Sequence, residues 1–149
     1  ANFYGLDMEA QYTLSSSMTL RAVASMVRGE RDDINDDLYR IAPDNMVVGL
    51  DYRNSNWMTS FEMVAYADQD RVSATNLEQK TDGYTIFNLT GRVNVSADVD
   101  VSLGIENLFD EEYEDHLAAY NRAFNPDIAM RGRMPGLGRN VYARLMWNF

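Results

Sequence analysis

An all-β fold, a transmembrane antiparallel β-barrel segment of seven strands, is predicted by three features of the 149-residue chain. Apolar residues recur at every second position in runs of about ten residues, the length a tilted strand needs to cross hydrocarbon. Tight polar turns alternate with long, acidic loops, as in a barrel with short turns on one side of a membrane and long loops on the other. The face opposite the apolar one carries charge at mid-strand (Asp7, Glu9, Arg21, Glu62, Arg92), which a wet lumen tolerates and a packed core does not.

The first run sets Tyr4, Leu6, Met8, Ala10, Tyr12 and Leu14 against Gly5, Asp7, Glu9, Gln11 and Thr13. After the turn at Ser15–Ser17, Met18, Leu20, Ala22, Ala24 and Met26 oppose Thr19, Arg21 and Ser25, with Val23 out of pattern. Met46, Val48, Leu50 and Tyr52 then oppose Gly49, Asp51 and Arg53, with Val47 as the exception, and Asn54–Asn56 is a turn cluster. The fourth run is the least clean: Trp57, Thr59, Phe61, Met63, Ala65 and Ala67 against Met58, Ser60, Glu62, Val64, Tyr66 and Asp68. The fifth sets Phe87, Leu89, Val93 and Val95 against Asn88, Thr90, Arg92 and Asn94. The sixth is the cleanest, with Val99, Val101, Leu103 and Ile105 against Asp98, Asp100, Ser102, Gly104 and Glu106. In the seventh, Val141, Ala143, Leu145, Trp147 and Phe149 oppose Tyr142, Arg144, Asn148 and the apolar Met146. The connectors at Glu30–Asn45, Asp70–Gly83 and Phe109–Gly138 are long, polar and mostly acidic. Tyr12, Tyr52, Trp57, Tyr84, Trp147 and Phe149 lie near strand ends, as residues of an interfacial aromatic girdle do.

Composition narrows the function. A net charge of −10 leaves no basic stripe for phosphates and argues against nucleic acid as a partner. The absence of cysteine and a single histidine remove disulfides, thiolate sites and multi-histidine zinc centres. No nucleophile–base pair is spaced for catalysis, so the chain does not read as an enzyme. Alternation alone also fits a soluble β-sandwich binding module or a passive porin. Against the sandwich, the apolar face is small and mixed (Ala22, Ala24, Thr59, Ala65, Ala67), adequate against lipid and thin for a core.

Two segments carry a family resemblance. Gly104-Ile105-Glu106-Asn107-Leu108-Phe109-Asp110-Glu111-Glu112-Tyr113 resembles the "G-x-x-N-L-F-D-x-x-Y" signature of TonB-dependent outer-membrane receptors. Pro135-Gly136-Leu137-Gly138-Arg139, running on to a terminal Phe149, is similar to their last strand. Arg40-Ile41-Ala42-Pro43-Asp44 and Gly83-Tyr84-Thr85-Ile86-Phe87-Asn88-Leu89 resemble two further family segments. The resemblance implies a barrel of 22 strands in the Gram-negative outer membrane, with an N-terminal plug domain that these residues do not contain. Residues 1–149 are therefore expected to be the C-terminal part of such a barrel, entered through an external loop. The implied function is energy-coupled uptake of a metal complex, such as a ferric siderophore or copper. Implied partners are the rest of the barrel and its plug, lipid and lipopolysaccharide, the TonB complex reached through the absent N-terminal region, and the barrel-assembly machinery. No covalent cofactor is implied; a metal complex would be cargo.

Candidate binding residues fall in the last long loop: His116, Tyr120, Arg122, Met130, Arg131, Arg133 and Met134. Thioether and imidazole suit soft copper ions, which makes His116, Met130 and Met134 a candidate metal set, with loop packing of the methionines as the alternative. Asp115-His116-Leu117, Tyr120-Asn121-Arg122 and Asn125-Pro126 resemble copper-associated members of the family. Arg122, Arg131, Arg133 and Arg139 are expected to pair with the loop's own acids; the competing reading is a basic patch for an anionic chelate. The family pattern implies that Arg139 anchors the start of the final strand. The acids Asp32, Asp33, Asp36 and Asp37, and those at 110–115, are expected to solvate their loops. Val141, Ala143, Leu145, Trp147 and Phe149 resemble the family's assembly signal, a strand edge able to pair by β-augmentation.

Overall fold

In the computed structural model, which describes residues 1–124 and 127–149, every strand belongs to one antiparallel sheet. Its strands are β1 (Asn2–Thr13), β2 (Met18–Arg31), β3 (Asp36–Asp37), β4 (Asn45–Arg53), β5 (Trp57–Tyr66), β6 (Tyr84–Ser96), β7 (Val99–Glu106) and β8 (Asn140–Trp147). Seven of them form the path β1-β2-β4-β5-β6-β7-β8, each beside its neighbour in sequence. The two-residue β3 lies off this path, paired to Glu30 and Arg31 of β2. The seven expected strands are therefore the seven of the path.

Register makes the alternation meaningful. Tyr12, Leu20, Leu50, Phe61, Leu89, Ile105 and Val141 are Cα partners from one strand to the next across the whole sheet. A one-residue slip in any strand would carry its apolar set to the other face; the one register shift lies between Asn94 and Ser96 at the end of β6, beyond this row. The opposite face follows suit: Gln11, Arg21, Gly49, Glu62 and Asn88 form one row. On it Arg21 Nε lies 2.5 Å from Asp51 and Nη2 lies 3.9 Å from Glu62. Gly49 admits that guanidinium, since a Cβ there would lie 2.7 Å from Arg21 Nη2. The out-of-pattern valines also line up, as Val23, Val47, Val64 and Ile86 form a single apolar row on the polar face.

Among the described residues no hydrophobic side chain is fully buried, while Gln69, Ser73, Glu78, Thr81, Asn107, His116, Asn121 and Arg133 are. This inverts a water-soluble domain, which buries its apolar residues first. The sheet is a single layer whose greasy face has no protein against it. A sandwich needs a second sheet, so that reading ends here.

Three expectations on the strands are corrected. β2 runs on to Arg31, beyond the last alternating residue Met26, because β1 supplies backbone partners as far as Asn2↔Glu30. β6 begins at Tyr84 rather than Phe87. Counting from there places Tyr84 opposite Tyr66 on the polar face, so it is not part of the lipid-side girdle. At the tight-turn end the girdle holds: the rings of Tyr52 and Trp57 lie 4.9 Å apart, and those of Trp147 and Phe149 6.1 Å.

Candidate functional site

The long connectors 32–44, 67–83 and 107–139 all leave the same end of the sheet, and their buried polar residues tie them together. Glu78 is the hub. Its Oε1 accepts from the Arg40 amide at 2.9 Å, and its Oε2 accepts from the Ser73 amide at 2.9 Å. The first connector reaches the second again through Asp36, which accepts from the Ser73 hydroxyl and the Ala74 and Thr75 amides. Those bonds, Thr75's foremost, hold its carboxyl well below the usual range. The acids of this loop therefore fasten it as well as solvate it: Asp33 also takes the Arg31 guanidinium at 2.7 Å.

His116 inserts from the third connector. Thr81 donates its hydroxyl to Nδ1 at 2.9 Å, and Nε2–H donates to Glu78 at 3.2 Å, with the ring only 2% exposed. Burial, reinforced by the nearby Arg133 guanidinium and opposed by Glu78 and Asp115, pushes its pKa down, so the folded ring is neutral. An unfolded histidine titrates near 6.5. The stabilising difference is thus whole above that pH and drains away as pH falls through it. Hydrogen-exchange protection factors in the three loops, taken against the intrinsic rate at each pH, are expected to fall between pH 7.5 and 5.5, and His116→Gln is expected to flatten that dependence.

Arg133, 3% exposed, locks the same knot. It donates to the carbonyls of His116 and Gln79 and to the Tyr120 hydroxyl, and its guanidinium lies 4.7 Å from the Tyr120 ring centre. Among the described residues its Nε has no partner. Arg40 bonds the carbonyl of Leu117. The two sequence motifs also meet physically. Asp110 Oδ1 accepts from the Arg139 amide at 2.7 Å, and Arg139 Nε donates to the Leu108 carbonyl at 2.9 Å. Tyr113 stacks on Tyr84 at 4.2 Å, and Gly136 lies so close to the Tyr113 ring that a Cβ would meet it at 2.3 Å.

Beside the knot a cleft of about 660 Å³ opens between the three connectors, with Tyr39, Leu77, Gln79, Tyr120, Arg122, Met130 and Arg131 among its walls. Of the candidate residues, Tyr120, Arg122, Met130 and Arg131 are gathered there. His116 and Arg133 stand behind it in the knot, with both ring nitrogens of His116 engaged, and Met134 is outside it. His116, Met130 and Met134 therefore do not share one cavity. Asn125 and Pro126 lie outside the described residues. Tyr39, Leu77 and Gln79 come from the other connectors and carry no motif; only the folding of three loops onto one sheet end selects them. The expected pairing of the arginines with loop acids is not found. Among the described residues no ion pair involves Arg122, Arg131, Arg133 or Arg139.

Residues 1–108 match the family described as TonB dependent receptor-like, beta-barrel. No curated protein sequence matches the chain. Among solved structures, the copper transporter OprC is similar over 99% of this chain and 23% of its own, at 24% identity and a TM-score of 0.91. The ferric enterobactin receptor PfeA from Pseudomonas aeruginosa is similar over 97% of this chain and 22% of its own, at 19% identity and a TM-score of 0.75. The ferric-catecholate import receptor Fiu from E. coli follows at 95% and 20%, with 13% identity and a TM-score of 0.64. At these identities the likeness is one of fold, and the chain spans under a quarter of the length of each. With the family match over most of its length, an open sheet that superposes on part of a receptor barrel, and a lipid-side face aligned across seven strands, the chain belongs to the TonB-dependent receptors of the outer membrane, a family of transporters rather than enzymes.

Proposed function

We propose that the chain is the C-terminal part of the barrel of an energy-coupled receptor that imports a metal complex, a ferric siderophore or a copper complex. The observation that carries this is the pairing of a lipid-side sheet with three outer loops knotted around a cleft. Loop segments held this firmly present a standing capture surface instead of a set of solvated tethers. The outer edges of β1 and β8 have no partner strand among the described residues, and unpaired edges are not stable in lipid. Further strands of the receptor, with the plug that TonB acts upon, complete the wall. The test is uptake of labelled complex by cells carrying the whole receptor, with and without TonB. Uptake is expected to stop without TonB; undiminished uptake, together with open conductance in planar bilayers, would instead make the protein a passive porin.

The final strand has an assembly role in the same proposal. Val141, Ala143, Leu145 and Trp147 stand on the lipid side of β8, paired to Ile105, Leu103, Val101 and Val99, and Phe149 beyond them is fully exposed. Removing Phe149 is expected to reduce the folded, heat-modifiable receptor at the surface several-fold without changing its synthesis. Unchanged surface levels would reduce this strand to a membrane anchor.

A further inference from the structure

We propose that a row of three arginines on the polar face of the sheet, Arg53, Arg92 and Arg144, holds an acidic, extended segment of the plug at the tight-turn end of the barrel. This rests on the receptor reading above and specifies which part of this wall the plug meets. Register supplies the row. Arg53 is the Cα partner of Met58, Met58 of Arg92, Arg92 of Ser102 and Ser102 of Arg144. All five belong to the face opposite the lipid-side residues, and Arg53 directly precedes the turn at Asn54–Asn56. Arginine thus stands on every second strand of the path from β4 to β8, at the end of the sheet away from the long connectors.

The wall spends its other charges on itself. Arg21 is closed by Asp51 and Glu62. Asp100 takes Arg92 at 2.5 Å and also Asn94, and Glu106 takes the Asn140 amide at 3.1 Å. Arg53 and Arg144 are exposed, with no side-chain hydrogen bond or ion pair among the described residues. With Asp98 in the adjoining turn, two carboxylates stand against three guanidinium groups, which makes this end cationic in a chain of net charge −10. Adjacent strands lie about 4.8 Å apart, so arginines on alternate strands follow one another at about 10 Å. One small anion cannot bridge that row. An extended chain rises about 3.3 Å per residue, so a segment crossing the strands with a carboxylate at about every third residue meets all three. A depression of about 600 Å³ between Arg92 and Arg144, with Ser102 and Tyr142 in its walls, has room for its side chains. Guanidinium forks fit carboxylates through two charge-assisted bonds, and a plug filling the lumen shields those bonds from water.

The experiment uses the whole receptor with its plug. In one arm, Arg53→Lys and Arg144→Lys keep the charge and supply amines, which a water-soluble carbodiimide joins to carboxylates in contact with them. Mass spectrometry of the digested receptor is expected to find both lysines joined to acids of the plug. In the other arm, the double variant Arg53→Gln/Arg144→Gln is expected to pass ion current in planar bilayers at about 1 M less urea than the parent, as the plug loosens. Neither side chain is bonded within the wall, so heat-modifiability of the barrel is expected to stay that of the parent. Cross-links absent or confined to barrel acids such as Asp51 and Asp98, or equal urea thresholds, would overturn the inference. Equal thresholds with slower uptake of labelled complex would overturn it too, and make the row a station on the path of anionic cargo. A receptor that imports with TonB while its plug ignores these arginines keeps the transport reading and loses this one.

Discussion

Arginine placed at Ala24 is expected to abolish most assembly of the receptor, whereas arginine placed one residue on, at Ser25, is expected to be tolerated. Ala24 lies in the middle of β2, between Met8 and Met46 on the apolar face. A guanidinium on the lipid side near the midplane costs about 2–4 kcal/mol, comparable to much of a domain's net stability. Ser25 points the other way and donates its hydroxyl to Asp7 at 2.5 Å. An arginine there meets water and a carboxylate, and an exposed pair of that kind is worth only about 0–1 kcal/mol. Unfolding of the whole receptor in lipid vesicles by urea, followed by tryptophan fluorescence, separates the two. Equal losses at both positions would mean that the apolar face is not against lipid.

Loss of the Asn107 side chain is expected to have the second largest effect. Asn107 is 2% exposed and its φ is 50°, a left-handed conformation that asparagine accepts better than most residues. Its amide donates to the carbonyls of Glu111 and Leu137, at 2.8 and 3.2 Å, and its oxygen accepts from the Glu111 amide at 2.8 Å. Asn88 in turn accepts from the Asn107 backbone at 3.0 Å. One side chain therefore joins the end of β7, the start of the third connector and its return toward β8. Alanine would leave three backbone groups without that partner and strain the turn, a cost of about 3 kcal/mol. Aspartate keeps the acceptor and the left-handed tolerance but loses both donors, so about half that loss is expected. Heat-modifiability of the whole receptor on gels, read as a midpoint temperature, ranks parent, Asn107→Asp and Asn107→Ala in that order. An alanine variant as stable as the parent would remove Asn107 from the structural account.

The motif around Asn107 was legible in the chain, but its purpose was not. Asn107, Asp110 and Arg139 are conspicuous as residue types; that Asp110 receives the backbone of Arg139 follows only once both connector ends return to one sheet edge. His116 shows the same limit from the other side. A lone histidine after two acids suggests a ligand, and only its enclosure by Thr81 and Glu78, from a connector about 35 residues earlier in the chain, makes it a structural strut. Val23, Val47 and Val64 looked like separate blemishes in three strands. Register turns them into one row with Ile86.

Period-two spacing by itself determined the seven membrane strands, their two faces and which connectors are long, because hydrocarbon and water sort side chains along a strand with no help from distant residues. The cleft and the knot behind it were decided by tertiary structure alone. Their partners lie tens of residues apart, on loops with no repeating pattern, and hydrogen bonds between such loops depend on where the sheet delivers their ends.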